Sequence, residues 1–442
     1  MKHKPTLLLL ALFLFSFAVR AQDKRTLGLD EAIDLGLKNS KVLKNDQAKI
    51  DEANAALKEA TEKKLPSASV SGSYLRLNSA NFDLKTKSSN GGSGSNDQPA
   101  VNQAMYGIVN LSMPVFQGGK IRYGIESAQF LQKATLLDAE AQKDEEIQNT
   151  IEAFANLFKA NTAVKLVNEN LQQSRERERE LGNMEKNGLL ARNDLLKAQL
   201  QTSNVELSLL DAQNNLSMAN LNMNLMLGLP PETQLVLDTS GIEKKFDMRV
   251  MEDFVQEAYK NRKDVSALDY RKKAAESSVR STLAEKYPSL QVTGGYIAAD
   301  VPHVFSVTNA VNLGLGLSYN ISSLWKNKSK VQQAEARVKQ YHLQQSILDD
   351  NIRLQVSRNY LSLISYRKKI DVYARAVEQA NENYRIVNNK FKNNLATLSD
   401  LLEADVAKLQ ASMSYTLARA DAFVAYNKLL QSAGLLSTDR NK

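Results

Sequence analysis

Few residues in this 442-residue chain could do covalent or metal chemistry. There is no cysteine, which excludes a disulfide framework, a thiolate metal site, a catalytic thiol and the attachment point of a lipid anchor. Of the three histidines, His3 lies in the leader, His303 in a predicted loop and His342 in a predicted helix. Neither of the last two has a second ligand or an acid at the spacing that zinc binding or general acid–base catalysis requires. No enzymatic, metal or cofactor site is expected. The charged residues are better arranged. Asp400 and Glu403, three apart in a helical stretch, share one helix face. Asp194 has a similar setting, but Lys197 stands where the second acid would be, so the two can pair. The run RERERE, Arg175 to Glu180, reads as an exposed helix face with i,i+4 pairs rather than as a binding site.

What positions these acids is a turn written twice. NGLLARNDLLKA (Asn187 to Ala198) returns as NNLATLSDLLEA (Asn393 to Ala404), with Gly188 matching Asn394 and Asp194 matching Asp400 at an offset of 206. A fixed offset over a distinctive string marks an internal repeat. Upstream, KKLPSASVSGSY (Lys63 to Tyr74) matches EKYPSLQVTGGY (Glu285 to Tyr296) at an offset of 222. The first half therefore carries sixteen extra residues, which fall in KTKSSNGGSGSNDQPA, Lys85 to Ala100. That stretch, rich in glycine and serine and without hydrophobic period, reads as a flexible exposed loop. The two structural repeats span 22–240 and 241–442.

Each repeat has one predicted order of elements. A helix comes first, Asp30 to about Lys64 and Met248 to about Lys286, ended by Pro66 or Pro288. A β-hairpin follows, over 67–116 and 289–321. In the second, Val311, Leu313, Leu315, Leu317, Tyr319 and Ile321 alternate with Asn312, Gly314, Gly316, Ser318 and Asn320, a period of two. Then come proline-free helical stretches, Ile121 to Lys186 and Lys326 to Lys392, which would each reach about 100 Å. Their apolar positions, Ile147, Ile151, Phe154, Phe158 and Ile352, Val356, Tyr360, Leu363, form a narrow stripe suited to packing on neighbouring helices. After the tip turn near 188 or 394 a shorter helix returns to Gly228 or Gly434, each placed to cap it. LGLPPETQLVL, Leu227 to Leu237, reads as the crossover into the second half.

The amino terminus sets the compartment. Lys2, His3 and Lys4 precede an apolar run from Leu7 to Val19, and Val19-Arg20-Ala21 offers small residues for cleavage after Ala21, so 1–21 reads as a secretory signal peptide. No later stretch is apolar enough to span a membrane as a helix. The formal charge of +8 includes Lys2, Lys4 and Arg20. The remaining mild excess, about +5, fits a solvated mixed-charge surface and not nucleic-acid binding.

Four amphipathic strands cannot stand alone, since both edges stay unpaired and one face is apolar throughout. In an outer membrane such strands build a barrel, and four are too few to close one. The chain must lend them to an oligomer, and three copies would give twelve. The aromatics near the strand ends, Tyr74, Tyr106, Phe116, Tyr296, Tyr319 and Trp325, suit the interfacial girdles. The tip leucines, exposed at the far end of the helices, suit a contact with another protein.

Signal peptide, tandem halves, LSMPVFQGGK (Leu111 to Lys120) leading from strand to long helix, LMLGLPP (Leu225 to Pro231) and the two tip strings together resemble the TolC family of outer-membrane efflux proteins. The resemblance covers essentially the whole mature chain. It implies a mainly α fold with a membrane β-barrel: a homotrimer whose twelve-stranded barrel, set in outer-membrane lipid, continues as a helical tunnel through the bacterial periplasm. It implies a passive exit duct that docks on a periplasmic adaptor, the membrane fusion protein, bound to an inner-membrane pump. The adaptor contacts would be Gly188, Leu189, Leu190, Asn394, Leu395 and Ala396. Asp400 and Glu403, with Asp194, would form the periplasmic gate, and a ring of six carboxylates from three copies of the first two would favour cations. The family's prototype has an arginine two residues after the tip glycine, where Ala396 stands here. Arg192 and Arg385 are the candidates to replace its closing contact. The rival reading, a secreted soluble coiled-coil structural or adhesion protein without a pore, explains the helices but not four strands interrupting them at matched places.

Overall fold

The computed structural model describes residues 24–80, 101–238, 249–302 and 305–437. The leader, the Lys85 to Ala100 segment and His303 lie outside the described residues. The chain is mainly helical. Its first half runs β1 (Lys24–Leu27), α1 (Leu29–Asn39), α2 (Lys41–Glu62), β2 (Ser67–Ala80), β3 (Val101–Phe116), α3 (Lys120–Lys186), α4 (Arg192–Leu227) and β4 (Gln234–Leu237). The second runs α5 (Met251–Asn261), α6 (Lys263–Ala284), β5 (Ser289–Val301), β6 (Phe305–Ser318), α7 (Ser323–Lys392) and α8 (Leu398–Ser432). Bounds of α1 and α5, and of α2 and α6, differ by 222, while α4 and α8 begin 206 apart. Among the described residues no helix is long and apolar enough to cross a membrane.

The opening helix of each half is not continuous, contrary to the hydrophobic pattern. It breaks at Ser40 (ψ 123°) and at the matching Arg262 (ψ 128°). Each break supplies its own replacement bonds. The Ser40 hydroxyl oxygen accepts from the Leu43 amide at 3.2 Å, capping α2. Arg262 grips both oxygens of Asp264 at 3.0 and 2.7 Å and donates to the Ser432 carbonyl, 3.2 Å away in the last turn of α8, where a cation is favoured. Polar side chains that satisfy freed backbone groups are not visible in a periodicity of apolar residues.

The described residues form two compact units, each drawing on both halves. The first holds residues up to Gln47, Asp138–Val265 and those from Ile347 onward. Its core gathers Ile147, Ile151 and Phe154 of α3, Ile352, Val356 and Leu363 of α7, Phe254 of α5 and Leu429 of α8, all buried. Phe158 and Tyr360 pack against them, so both expected stripes face this core. Each such side chain contributes about 1.5–3 kcal/mol by leaving water. Part of the predicted crossover is a strand: β4 pairs in parallel with β1, Leu27 beside Leu237. Asn220 of α4 orients it by donating to the Thr233 carbonyl at 2.7 Å and accepting from the Leu235 amide at 3.1 Å.

The second unit, Ala48–Leu137 with Ser266–Ser346, contains a four-stranded antiparallel sheet in the order β2-β3-β5-β6. Its register sorts side chains by polarity. One face carries Val70, Val109, Tyr296 and Val311 in one row and Leu111 and Leu313 beside Gly294 in the next. The other carries Ser69, Asn110, Gly295 and Asn312. Leu313 is 85% exposed, so the apolar face is uncovered within the chain. Strand β6 stops at Ser318, short of the predicted Ile321, because Ser323 donates to the Asn320 carbonyl at 2.9 Å and turns the chain into α7.

Helices α4 and α8 are followed by Gly228 and Gly434 in the left-handed region, both at φ 68°. A Cβ on Gly434 would lie 2.9 Å from the Arg262 amide nitrogen, whereas one on Gly188, at φ 73°, would meet nothing within 4 Å. Gly188→Ala should therefore cost about 1–2 kcal/mol of left-handed strain. Gly434→Ala should cost clearly more, because backbone at the α5–α6 break must also move. Denaturant midpoints of the two variants in detergent check this ordering, and equal midpoints would refute it.

Candidate gate and docking tips

The two tip turns are built alike despite different residues. Gly188 donates to the Glu185 carbonyl at 2.9 Å and Leu189 to Met184 at 2.8 Å. Asn394 donates to Phe391 at 3.0 Å and Leu395 to Lys390 at 2.8 Å. Both are the paired bonds of a Schellman end, which needs one residue at positive φ. Asn394 sits there at φ 60°, and asparagine tolerates that region better than other side chains.

The predicted tip residues divide. Leu189 and Leu395 are 72% and 76% exposed. Leu190 instead turns inward onto a small cluster of Leu181, Leu195, Ala198 and Leu398, with Phe391 and Leu402 beside it. That cluster binds the α3–α4 hairpin to the α7–α8 hairpin. Ala396 is half-buried, and Gly188 and Asn394 are exposed.

The acids also divide. Thr397 caps α8, its Oγ1 accepting from the Asp400 amide at 3.2 Å, while the Asp400 carboxylate accepts from the Thr397 hydroxyl at 2.8 Å and amide at 2.9 Å. This reciprocal box satisfies two orphan donors of the helix start. The hydroxyl bond, and then the amide bond, hold the Asp400 pKa below the ordinary carboxylate value. Glu403 is exposed one turn on, while Leu401, Ala404 and Asp405 are buried. At the first tip Ala191 caps α4 without a side-chain bond, and Asp194 is held by Lys197 at 3.2 Å.

Neither candidate arginine joins the hairpins. Arg192 reaches Glu185 at 3.5 Å within its own hairpin, and Arg385 reaches Glu382 at 2.7 Å within one helical turn. Arg177, inside the run read from sequence as an exposed helix face, does join them. Its guanidinium meets Asp405 of α8 at 3.1 Å and the Tyr384 hydroxyl of α7 at 3.2 Å, and Asn170 donates to the same Asp405 oxygen at 3.2 Å. The side chains of Arg177 and Asp405 are only 10% and 3% exposed. Burial works against the Arg177 charge, but Asp405 and then Tyr384 more than offset it and raise the pKa above the ordinary value. A signal was present in RERERE. The i,i+4 pairs expected within the run do not exist, because a spacing of four sets like charge beside like, and Arg175 bonds outside the run as well, to Glu206 of α4 at 2.7 Å.

In the second unit, register puts Tyr74, Phe116 and Tyr296 on the apolar face but Tyr106 on the polar one, between Ser73 and Ala299. Tyr319 follows β6, and Trp325 is exposed in the first turn of α7. His342 is exposed on α7.

A sequence profile described as outer membrane efflux protein matches residues 32–229 and 254–435, whose starts and ends differ by the same 222 and 206. Among solved structures, the Campylobacter jejuni CmeC outer membrane channel superposes with a TM-score of 0.77 at 18% identity, over 93% of this chain and 88% of that one. The outer membrane protein VceC of Vibrio cholerae gives 0.74 at 19% identity, over 92% of this chain and 96% of that one. No curated protein sequence matches the chain. The soluble coiled-coil alternative finds no support in these matches.

Removing one partner of the buried pair strands the other charge. Asp405→Ala should cost about 3–5 kcal/mol. Asp194→Ala, at an exposed pair, should cost at most about 1 kcal/mol. Thermal unfolding in detergent, with limited proteolysis of the hairpins, distinguishes them, and a small equal loss would show that Arg177 does not hold the hairpins together.

Proposed function

The chain belongs to the outer membrane efflux protein family, and on that premise we propose that three copies form the exit duct of a tripartite efflux or secretion system. It is a transport protein and not an enzyme. One observation supports the trimer most: a four-stranded sheet with one apolar and one polar face, whose edge strands β2 and β6 have no further strand partner among the described residues. Pairing β6 of one copy with β2 of the next closes twelve strands, turns Val311 and Leu313 to lipid and leaves Asn110 and Asn312 lining water. Each repeat, 22–240 and 241–442, then supplies one hairpin to the barrel and one helical hairpin to a periplasmic tunnel. Tyr74, Phe116, Tyr296, Tyr319 and Trp325 suit the membrane interfaces. Tyr106, on the polar face, suits the lumen instead.

In this reading the tips are the docking surface for a periplasmic adaptor joined to an inner-membrane pump. Leu189 and Leu395 are the exposed apolar pair that would meet it, with Gly188 allowing close approach and Asn394 beside them. Leu190 and Ala396 support the tip from within. Asp400 and Glu403 of three copies ring the mouth, while Asp194, paired with Lys197, adds little field. The Asp400 pKa is depressed, so its charge persists as pH falls past the ordinary carboxylate value and is lost only below it.

In planar bilayers the purified protein should open cation-preferring channels. Asp400→Asn with Glu403→Gln should raise conductance and reduce that preference, and Thr397→Val should move the acid loss of preference to higher pH. Absence of channels would overturn the duct, and unchanged currents would remove the gate. Separately, Leu395→Glu should reduce export by roughly tenfold or more while the trimer still assembles, as expected for an apolar anchor at an interface. Export measured in cells, beside trimer yield, would expose the docking assignment as wrong if efflux were normal.

A further inference from the structure

Where the strands of the second unit meet their helices there is a recess of about 500 Å³. Its lining residues include three lysines, Lys120, Lys326 and Lys330, and one acid, Glu285. Glu285 holds Lys120 and Lys330 at 2.8 Å each, which fixes both ammoniums. One carboxylate cannot balance three cations, and Lys326 has no carboxylate partner among the described residues. The surplus is thus about two positive charges in one partly enclosed place.

A second feature of the same wall is independent of charge. The Ser323 hydroxyl and the Asn327 amide oxygen are buried with no hydrogen-bond partner. Asn327, 2% exposed, is anchored through its nitrogen to the Thr282 carbonyl at 2.8 Å, so its oxygen is fixed in position. Buried polar groups are rarely left unsatisfied, and those that are call for a bound water, ion or ligand. The strand residues of the recess, Ser289 and its register partner Ser318, belong to the polar face of the sheet. An occupant would therefore arrive from water and not from hydrocarbon.

We propose that this recess is a station for a small organic anion in transit, which gives carboxylate or phosphate oxygens to the lysines and a hydroxyl or amine hydrogen to the Asn327 oxygen. The inference rests on the duct reading, in which the polar face lines the lumen. It adds an anion-binding position to a conduit whose tip carries acids, so that a solute with both charges would meet a favourable group at each.

The test uses the full-length trimer in planar bilayers without divalent cations, with citrate as probe. Citrate should interrupt the current, and Lys326→Gln with Lys330→Gln should raise the blocking concentration roughly tenfold, the loss expected for charge-assisted bonds. Lys328→Gln removes a charge outside the recess and should leave the block unchanged. Tricarballylate, which is citrate without its hydroxyl, should block more weakly than citrate. Conducting channels with no citrate block, or with equal effects of substitution inside and outside the recess, overturn this inference alone. Equal block by the two probes removes the Asn327 contact and with it the proposed ligand class. If the unsubstituted protein forms no channels, the duct reading falls and the station with it.

Discussion

The rest of the structure depends on the edges of one sheet. A strand left open offers a row of donors and acceptors that will pair with something, and native proteins cover, shorten or close such edges. Among the described residues none of these remedies is found: β2 and β6 are fourteen residues each, and the face beside them is apolar and uncovered. The proposed trimer answers this, because β6 of one copy matches β2 of the next in length. Helices packed through Ile147, Phe154, Ile352 and Leu363 give the first unit a core of its own, so the need for company lies in the strands.

Duplication gave the two halves one plan, and their tips differ in how they hold charge. The first tip uses glycine for its positive φ, leaves its helix without a side-chain cap and neutralises Asp194 with Lys197. The second uses asparagine, caps with Thr397 and keeps two acids exposed. One tip is electrically quiet and the other is not.

Much of this was legible in the residues. The period of two gave the faces of the sheet, the interval of three or four gave the core stripes of α3 and α7, and the repeat located both turns within a residue or two. What escaped was polar. The helix breaks at Ser40 and Arg262 rest on side-chain bonds to freed backbone, which apolar periodicity does not register. Arg177 lay inside a charged run that resembles an ordinary wet surface, and its partners Asp405 and Tyr384 are more than two hundred residues away. Tyr106 looked like its neighbours until register placed it on the opposite face. In each case the deciding contact was distant in sequence, or its chemistry was that of a single hydrogen bond and not of a pattern.

The Arg177–Asp405 pair also limits how this lineage can change. Either partner, altered by itself, leaves an ion shut away from solvent, so neutral drift at one position is blocked while the other stands. With Tyr384 leaning on the same group, a relative that lacks one of the three should have exchanged the whole set for side chains that ask nothing of water.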